Sequence, residues 1–179
     1  MSLKGWRKIE VDLRDILSFY AKNFCEKDCL IETNYKKIGV IQISFSEDSL
    51  HHLLGLHYVT SNRASANIAE IKKGKLSLSD LKKNDNFYKI KYRLEGVYSL
   101  SNMLIKPKAD VCILEKDLHK NPMNLDLILF EKNTSSKLMI LGLRKNKTNG
   151  IYYPTTLLRT EKYKYANTKL TKINNITWI

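Results

Sequence analysis

Cysteine is scarce in this chain. Cys25, Cys29 and Cys112 make an odd number without the spacing of a disulfide framework. A disulfide-stapled secreted scaffold is thereby excluded, and reduced thiols in a cytoplasmic protein are expected. Long apolar runs are missing as well. The opening Met1-Ser2-Leu3-Lys4-Gly5-Trp6 lacks the apolar stretch of a signal peptide, and no segment approaches the roughly 20 residues of a membrane span. Acidic residues are few: 18, against 31 Lys+Arg, leaving a net charge of +13. A low-GC bacterial genome, which gives Lys- and Asn-rich proteins, would produce such a bias without any function. The excess nevertheless exceeds what solubility requires and points to a polyanionic partner, nucleic acid before anionic membrane. Docking on lipid is disfavoured because no strongly amphipathic basic helix carries exposed Trp or Phe. There is no glycine-rich phosphate loop, no GxSxG elbow and no paired-carboxylate motif, which argues against ATP-driven and serine-hydrolase chemistry.

At 179 residues, 43% hydrophobic and 27% charged, the chain has the size and composition of one globular domain spanning residues 1–179. Leu13, Ile16, Leu17, Tyr20 and Phe24 form one stripe of an amphipathic helix, with Asp12 or Asp15 near its start. Leu30–Thr33 and Ile38–Phe45 read as a hairpin. Helical patterns follow from Ser46 to Leu104. Among them Ser77-Leu78-Ser79-Asp80 is a capping pattern, Gly74 is a helix stop, and Phe87, Ile90, Leu94, Val97 and Leu100 share one side. Beyond Pro107, Ala109–Leu114, Leu125–Phe130 and Lys137–Leu143 read as strands joined by short polar connections, with a last edge strand at Ile176–Ile179. Short connections favour an antiparallel meander. The expected class is α+β: N-terminal helices packed on an antiparallel β-sheet of about four to six strands.

Three of the four histidines lie within seven residues, in Phe45–Tyr58. Ser46-Glu47-Asp48-Ser49 supplies the acceptors of a helix start. Leu50, Leu53, Leu54 and His57 follow at helical spacing, so a continuous helix puts His57 on the apolar face and leaves His51, His52 and Gly55 off it. Zinc is disfavoured, because the histidines on either side of Gly55 are five or six residues apart rather than at the i, i+4 spacing of a helical chelate. No cofactor and no metal site are expected. His119, in a polar loop, reads as exposed and idle.

Metal-free RNA cleavage asks for little. The substrate's 2′-hydroxyl attacks the adjacent phosphorus while a base takes its proton, an acid protonates the leaving oxygen and cations stabilise the phosphate charge. His52 and His57 are the candidate acid and base. Arg93, with Lys91, is the candidate phosphate ligand; Tyr153 and Thr155 would hold the scissile group, and Lys89, Lys91 and Arg159 would bind the nucleic acid. Each has a structural reading beside the catalytic one. His57 could be a buried histidine, the basic residues a solvated face, and Tyr153 and Thr155 sheet-packing residues.

The run His52-Leu53-Leu54-Gly55-Leu56-His57 resembles the HL-x-GLH signature of a phage-associated nuclease-like family grouped with barnase, EndoU, the colicin E5 and D toxins and RelE. Pro107-Lys108-Ala109-Asp110 before an apolar strand is similar to that family's KADF-apolar segment. Tyr152-Tyr153-Pro154-Thr155-Thr156 is similar to its Y-x-P-[ST]-F motif, with Thr156-Leu157 where an aromatic residue is usual. The three matches fall in the family's order and span nearly the whole chain. The resemblance implies helices on an antiparallel sheet and a role in cleaving or binding RNA, as a toxin or phage effector, with an antitoxin or host protein as a further partner. A second class of function stands beside it: a non-catalytic basic phage or mobile-element protein that docks on RNA or inhibits a host or defence protein. Histidines and Arg93 meeting in one open cleft favour the enzyme; scattered or sealed groups favour the binder.

Overall fold

The computed structural model describes residues 12–106, 109–113, 121, 123–131, 137–161 and 169–179. His119, the Pro107-Lys108 pair, the opening segment 1–11 and most of the connections before and after residues 125–131 lie outside the described residues.

Helix α1 is Leu13–Phe24. Asp12 caps it by accepting the Arg14 amide at 2.8 Å, and Leu13, Ile16, Leu17, Tyr20 and Phe24 are all buried. Strands β1 (Asp28–Thr33) and β2 (Val40–Ser44) follow as an antiparallel hairpin that pairs Cys29 with Ile43 and Ile31 with Ile41 on the buried face. Helices α2 (Glu47–Leu54), α3 (Ala64–Lys72) and α4 (Leu78–Lys82) come next. Ser77 and Asp80 close a reciprocal capping box at α4.

The apolar stripe read from Ile90 to Leu100 is buried, but not on one helix. It is divided between α5 (Lys91–Gly96) and α6 (Ser99–Leu104), preceded by a 3-10 segment Asp85–Lys89. Periodicity reported which residues pack; it did not report the breaks.

The second half supplies β3 (Ala109–Ile113), β4 (Leu127–Glu131), β5 (Lys137–Lys145), β6 (Tyr152–Glu161) and β7 (Lys169–Trp178). The α+β class holds. Among the described residues the sheet has seven strands in the order β1-β2-β6-β5-β4-β3-β7, and it closes because β7 also pairs with β1. All pairings are antiparallel except β2 with β6, which meet in parallel at Ile43 and Tyr152. The last strand is not an edge: it lies between β1 and β3.

Residues alternate across the sheet. Leu127, Leu129, Leu141 and Leu143 join the main core with the helices, while Ile128, Leu138 and Ile140 form a second cluster with Leu125. The main core is aromatic where α1, the entry to α2 and the last strand meet. Phe24, Phe45 and Trp178 stand 5.6–5.8 Å apart by ring centroid, and Tyr20 is 5.7 Å from Phe24. The indole of Trp178 donates to the Leu104 carbonyl at 3.3 Å, so one cluster joins α1, the entry to α2, α6 and the last strand. Cys25 and Cys29 are free and buried; burial pushes their thiols up to about 11 and about 12, so both are neutral thiols. Among the described residues no helix is long and apolar enough to cross a membrane.

Phe24→Ala should destabilise the protein by about 3–5 kcal/mol, read as a lower urea midpoint with Trp178 fluorescence as the probe.

Candidate functional site

The site forms where α2 ends. Ser46 caps the helix start through the Ser49 amide, and Gly55 ends it in the left-handed region at φ 72°, ψ 31°. Its amide bonds back to the His52 carbonyl at 3.1 Å. Leu56–Tyr58 then turns as a short 3-10 segment. The helix stops two residues before His57, so the helical phase that put His57 on the apolar face no longer applies, and His57 is exposed. The buried histidine is His51, at 3% exposure, because α3 covers the side of α2 next to the leucine stripe. Asn67 of α3, fully buried, lies 3.1 Å from His51 Nδ1 through its side-chain amide.

Sequence spacing separated the three histidines; the turn at Gly55 gathers them. Ring centroids are 5.0 Å apart for His51–His52, 6.0 Å for His51–His57 and 6.1 Å for His52–His57. One ring nitrogen from each falls within 4.8 Å of the others. Burial, then the neighbouring His52 and His57, lower His51 to about 4, against a small opposing pull from Asp48. Burial, the charge of Arg93 and His52 also hold His57 below the ordinary histidine value. Both are neutral at neutral pH, with a lone pair available.

Arg93 enters from α5. It is 4% exposed, and its Nη1 donates to Thr156 Oγ1 at 3.2 Å and to the His52 carbonyl at 3.5 Å. Its Nε is buried without a hydrogen-bond partner, and no carboxylate among the described residues forms an ion pair with it. A buried cation normally has an anion beside it. The guanidinium instead stands 5.6 Å from the Tyr58 ring and 5.7 Å from that of Tyr92. Gly55 makes room for it: a Cβ there would sit 3.2 Å from Arg93 Cδ and Nε and 3.1 Å from the Tyr58 ring.

His52, His57 and Arg93 are therefore neighbours, and Lys89 joins at the rim, its Nζ 5.8 Å from the Tyr58 ring. Lys91 is exposed on α5, and Arg159 is exposed further along β6. Tyr153 and Thr155 have other engagements. The Tyr153 hydroxyl accepts from Asn149 at 3.2 Å, and the Thr155 hydroxyl donates to the Tyr153 carbonyl. The β6 hydroxyl that reaches Arg93 belongs to Thr156, next to a register shift at Gly142/Leu143. Strand alternation could not locate that bulge. His51, Tyr58 and Asn67 were likewise missed. Only Gly55, a helix breaker between two histidines, carried a sequence signal that the helix might end there.

A family model described as phage-Barnase-EndoU-ColicinE5/D-RelE like nuclease4 matches residues 12–179. No curated protein and no solved structure matches the chain.

Two outcomes follow from the geometry. Gly55→Ala combines a left-handed alanine, costing about 1–2 kcal/mol, with a push on Arg93, and should lower thermal stability by at least that amount. In EDTA, stability should fall as pH drops from about 6.5 to about 4. The unfolded chain protonates its histidine there while native His51 stays neutral, an effect on the order of 3 kcal/mol. Urea midpoints across that range should show the slope, and His51→Gln should reduce it.

Proposed function

The chain belongs to the phage-Barnase-EndoU-ColicinE5/D-RelE like nuclease4 family, and on that premise we propose that it is a metal-independent endoribonuclease. The observation that carries this reading is Arg93, a buried guanidinium with no carboxylate partner among the described residues, beside two exposed imidazoles. Arg93 is nearly sealed, so a scissile phosphate becomes the anion this site lacks only when the Tyr58 and Tyr92 side chains beside the guanidinium part to admit it.

In this reading neutral His57 takes the proton of the 2′-hydroxyl as its oxygen attacks the adjacent phosphorus. His52, as the general acid, delivers a proton to the departing 5′-oxygen. The products are a 2′,3′-cyclic phosphate and a 5′-hydroxyl end. Arg93, oriented by Thr156, stabilises the charge that accumulates on the phosphoryl oxygens. Lys89 and Lys91 attract the flanking phosphates, and Tyr58, 40% exposed, offers a ring on which a base can stack. Tyr153 and Thr155 precede Thr156 on the same strand and Arg159 follows it, along the path of the RNA backbone. A toxin or phage effector is the setting this activity implies, with an antitoxin or host protein as its protein partner.

Purified protein incubated with total RNA in EDTA should produce cyclic-phosphate ends. His57→Ala should slow cleavage about 10²–10⁴-fold, and Arg93→Ala about 10²–10³-fold, while His52→Ala should slow it as an acid would. Intact RNA bound in a salt-sensitive way would sink the catalytic reading and leave a non-catalytic RNA binder.

A further inference from the structure

The His51–His52–His57 cluster has a second chemical capacity. Three imidazoles with donor nitrogens within 4.8 Å of one another approach the arrangement of a three-histidine ion site. A tetrahedral ion with bonds of about 2.0–2.1 Å holds its ligand nitrogens about 3.4 Å apart. The rings have to close by roughly 1.5 Å at most to reach that spacing. His52 and His57 are exposed, His57 against the Tyr58 ring at 4.2 Å, whereas His51 is buried beside Asn67. A buried ligand with two exposed ones is a workable chelate.

The inner partner also fits. A histidine that binds an ion through one nitrogen donates its other N–H to a neighbour that fixes the ring. Asn67 is fully buried beside His51 Nδ1, and its Oδ1 has no hydrogen-bond partner. The Asn67 Nδ2 that faces His51 Nδ1 can only donate and also reaches Thr60 Oγ1 at 2.6 Å, so ligation through the other His51 nitrogen requires the amide to turn its unpartnered Oδ1 toward an Nδ1–H. Sulfur does not compete among the described residues, because Cys25 and Cys29 are buried neutral thiols. An all-imidazole set suits borderline ions such as Zn2+ rather than Mg2+ or Ca2+.

We propose that the three histidines bind one Zn2+-class ion, and that this ion silences the nuclease. The silencing rests on the ribonuclease reading above. An imidazole whose lone pair is held by a metal can neither accept the 2′-hydroxyl proton nor deliver one to the leaving oxygen. The site would thus be active when stripped of metal and idle when loaded.

The test begins with protein stripped in EDTA and exchanged into chelator-free buffer. Zn2+ is titrated by calorimetry, and Co2+ is followed by its visible absorption. One equivalent should bind, with the intense visible bands of four-coordinate Co2+, and His52→Ala and His57→Ala should each weaken binding roughly tenfold or more. Both substitutions are at exposed positions, so the fold is retained. Binding that neither substitution changes, or no binding at all, overturns the site. In the RNA assay, one equivalent of Zn2+ should stop wild-type cleavage, and EDTA should restore it. Cleavage unaffected or accelerated by bound Zn2+ overturns the silencing. A protein that binds the ion yet leaves RNA intact with and without it retains the metal site while the ribonuclease reading fails, so the two failures are distinguishable.

Discussion

The site depends on one backbone conformation. Gly55 in the left-handed region ends α2 after Leu54, and two consequences follow from that one residue. The chain turns back so that His57 returns to His51 and His52, and the missing Cβ leaves space for the Arg93 stem to pass. A side chain at this position would strain the turn and crowd the guanidinium together. Gly55 thus couples the position of the clustered histidines to that of the cation.

The surrounding fold holds those groups by separate attachments. Helix α2 supplies His51 and His52 and is itself held by the buried leucines Leu50, Leu53 and Leu54. Helix α5 delivers Arg93, strand β6 delivers Thr156, and the aromatic cluster of Phe24, Phe45 and Trp178 joins the N-terminal helix to the last strand. An unpaired buried guanidinium costs stability. The rest of the core tolerates that cost, and a bound phosphate would remove it. Functional sites commonly store such unsatisfied charge.

Legibility varied by kind of feature. Local patterns were read correctly: the stripe of α1, the Ser77–Asp80 capping box, the β1–β2 hairpin and the buried positions from Ile90 to Leu100 each express a contact between residues near in sequence. The histidine stretch was singled out as the candidate site, and the structure brings His52, His57 and Arg93 together. Which histidine is buried was reversed. A helical wheel assumes an unbroken helix, and the left-handed turn falls between Leu54 and His57.

What the sequence by itself determined is the set of local periodicities and caps, the excess of positive charge and the concentration of histidine, because each is a property of neighbouring residues. The tertiary structure alone decided that β7 closes the sheet against β1, that Thr156 is the hydroxyl at Arg93, and that Asn67 holds His51. Each of these joins segments 16 to 149 positions apart. Such pairings are selected by what the whole core can bury and satisfy, and no short window of sequence contains that information.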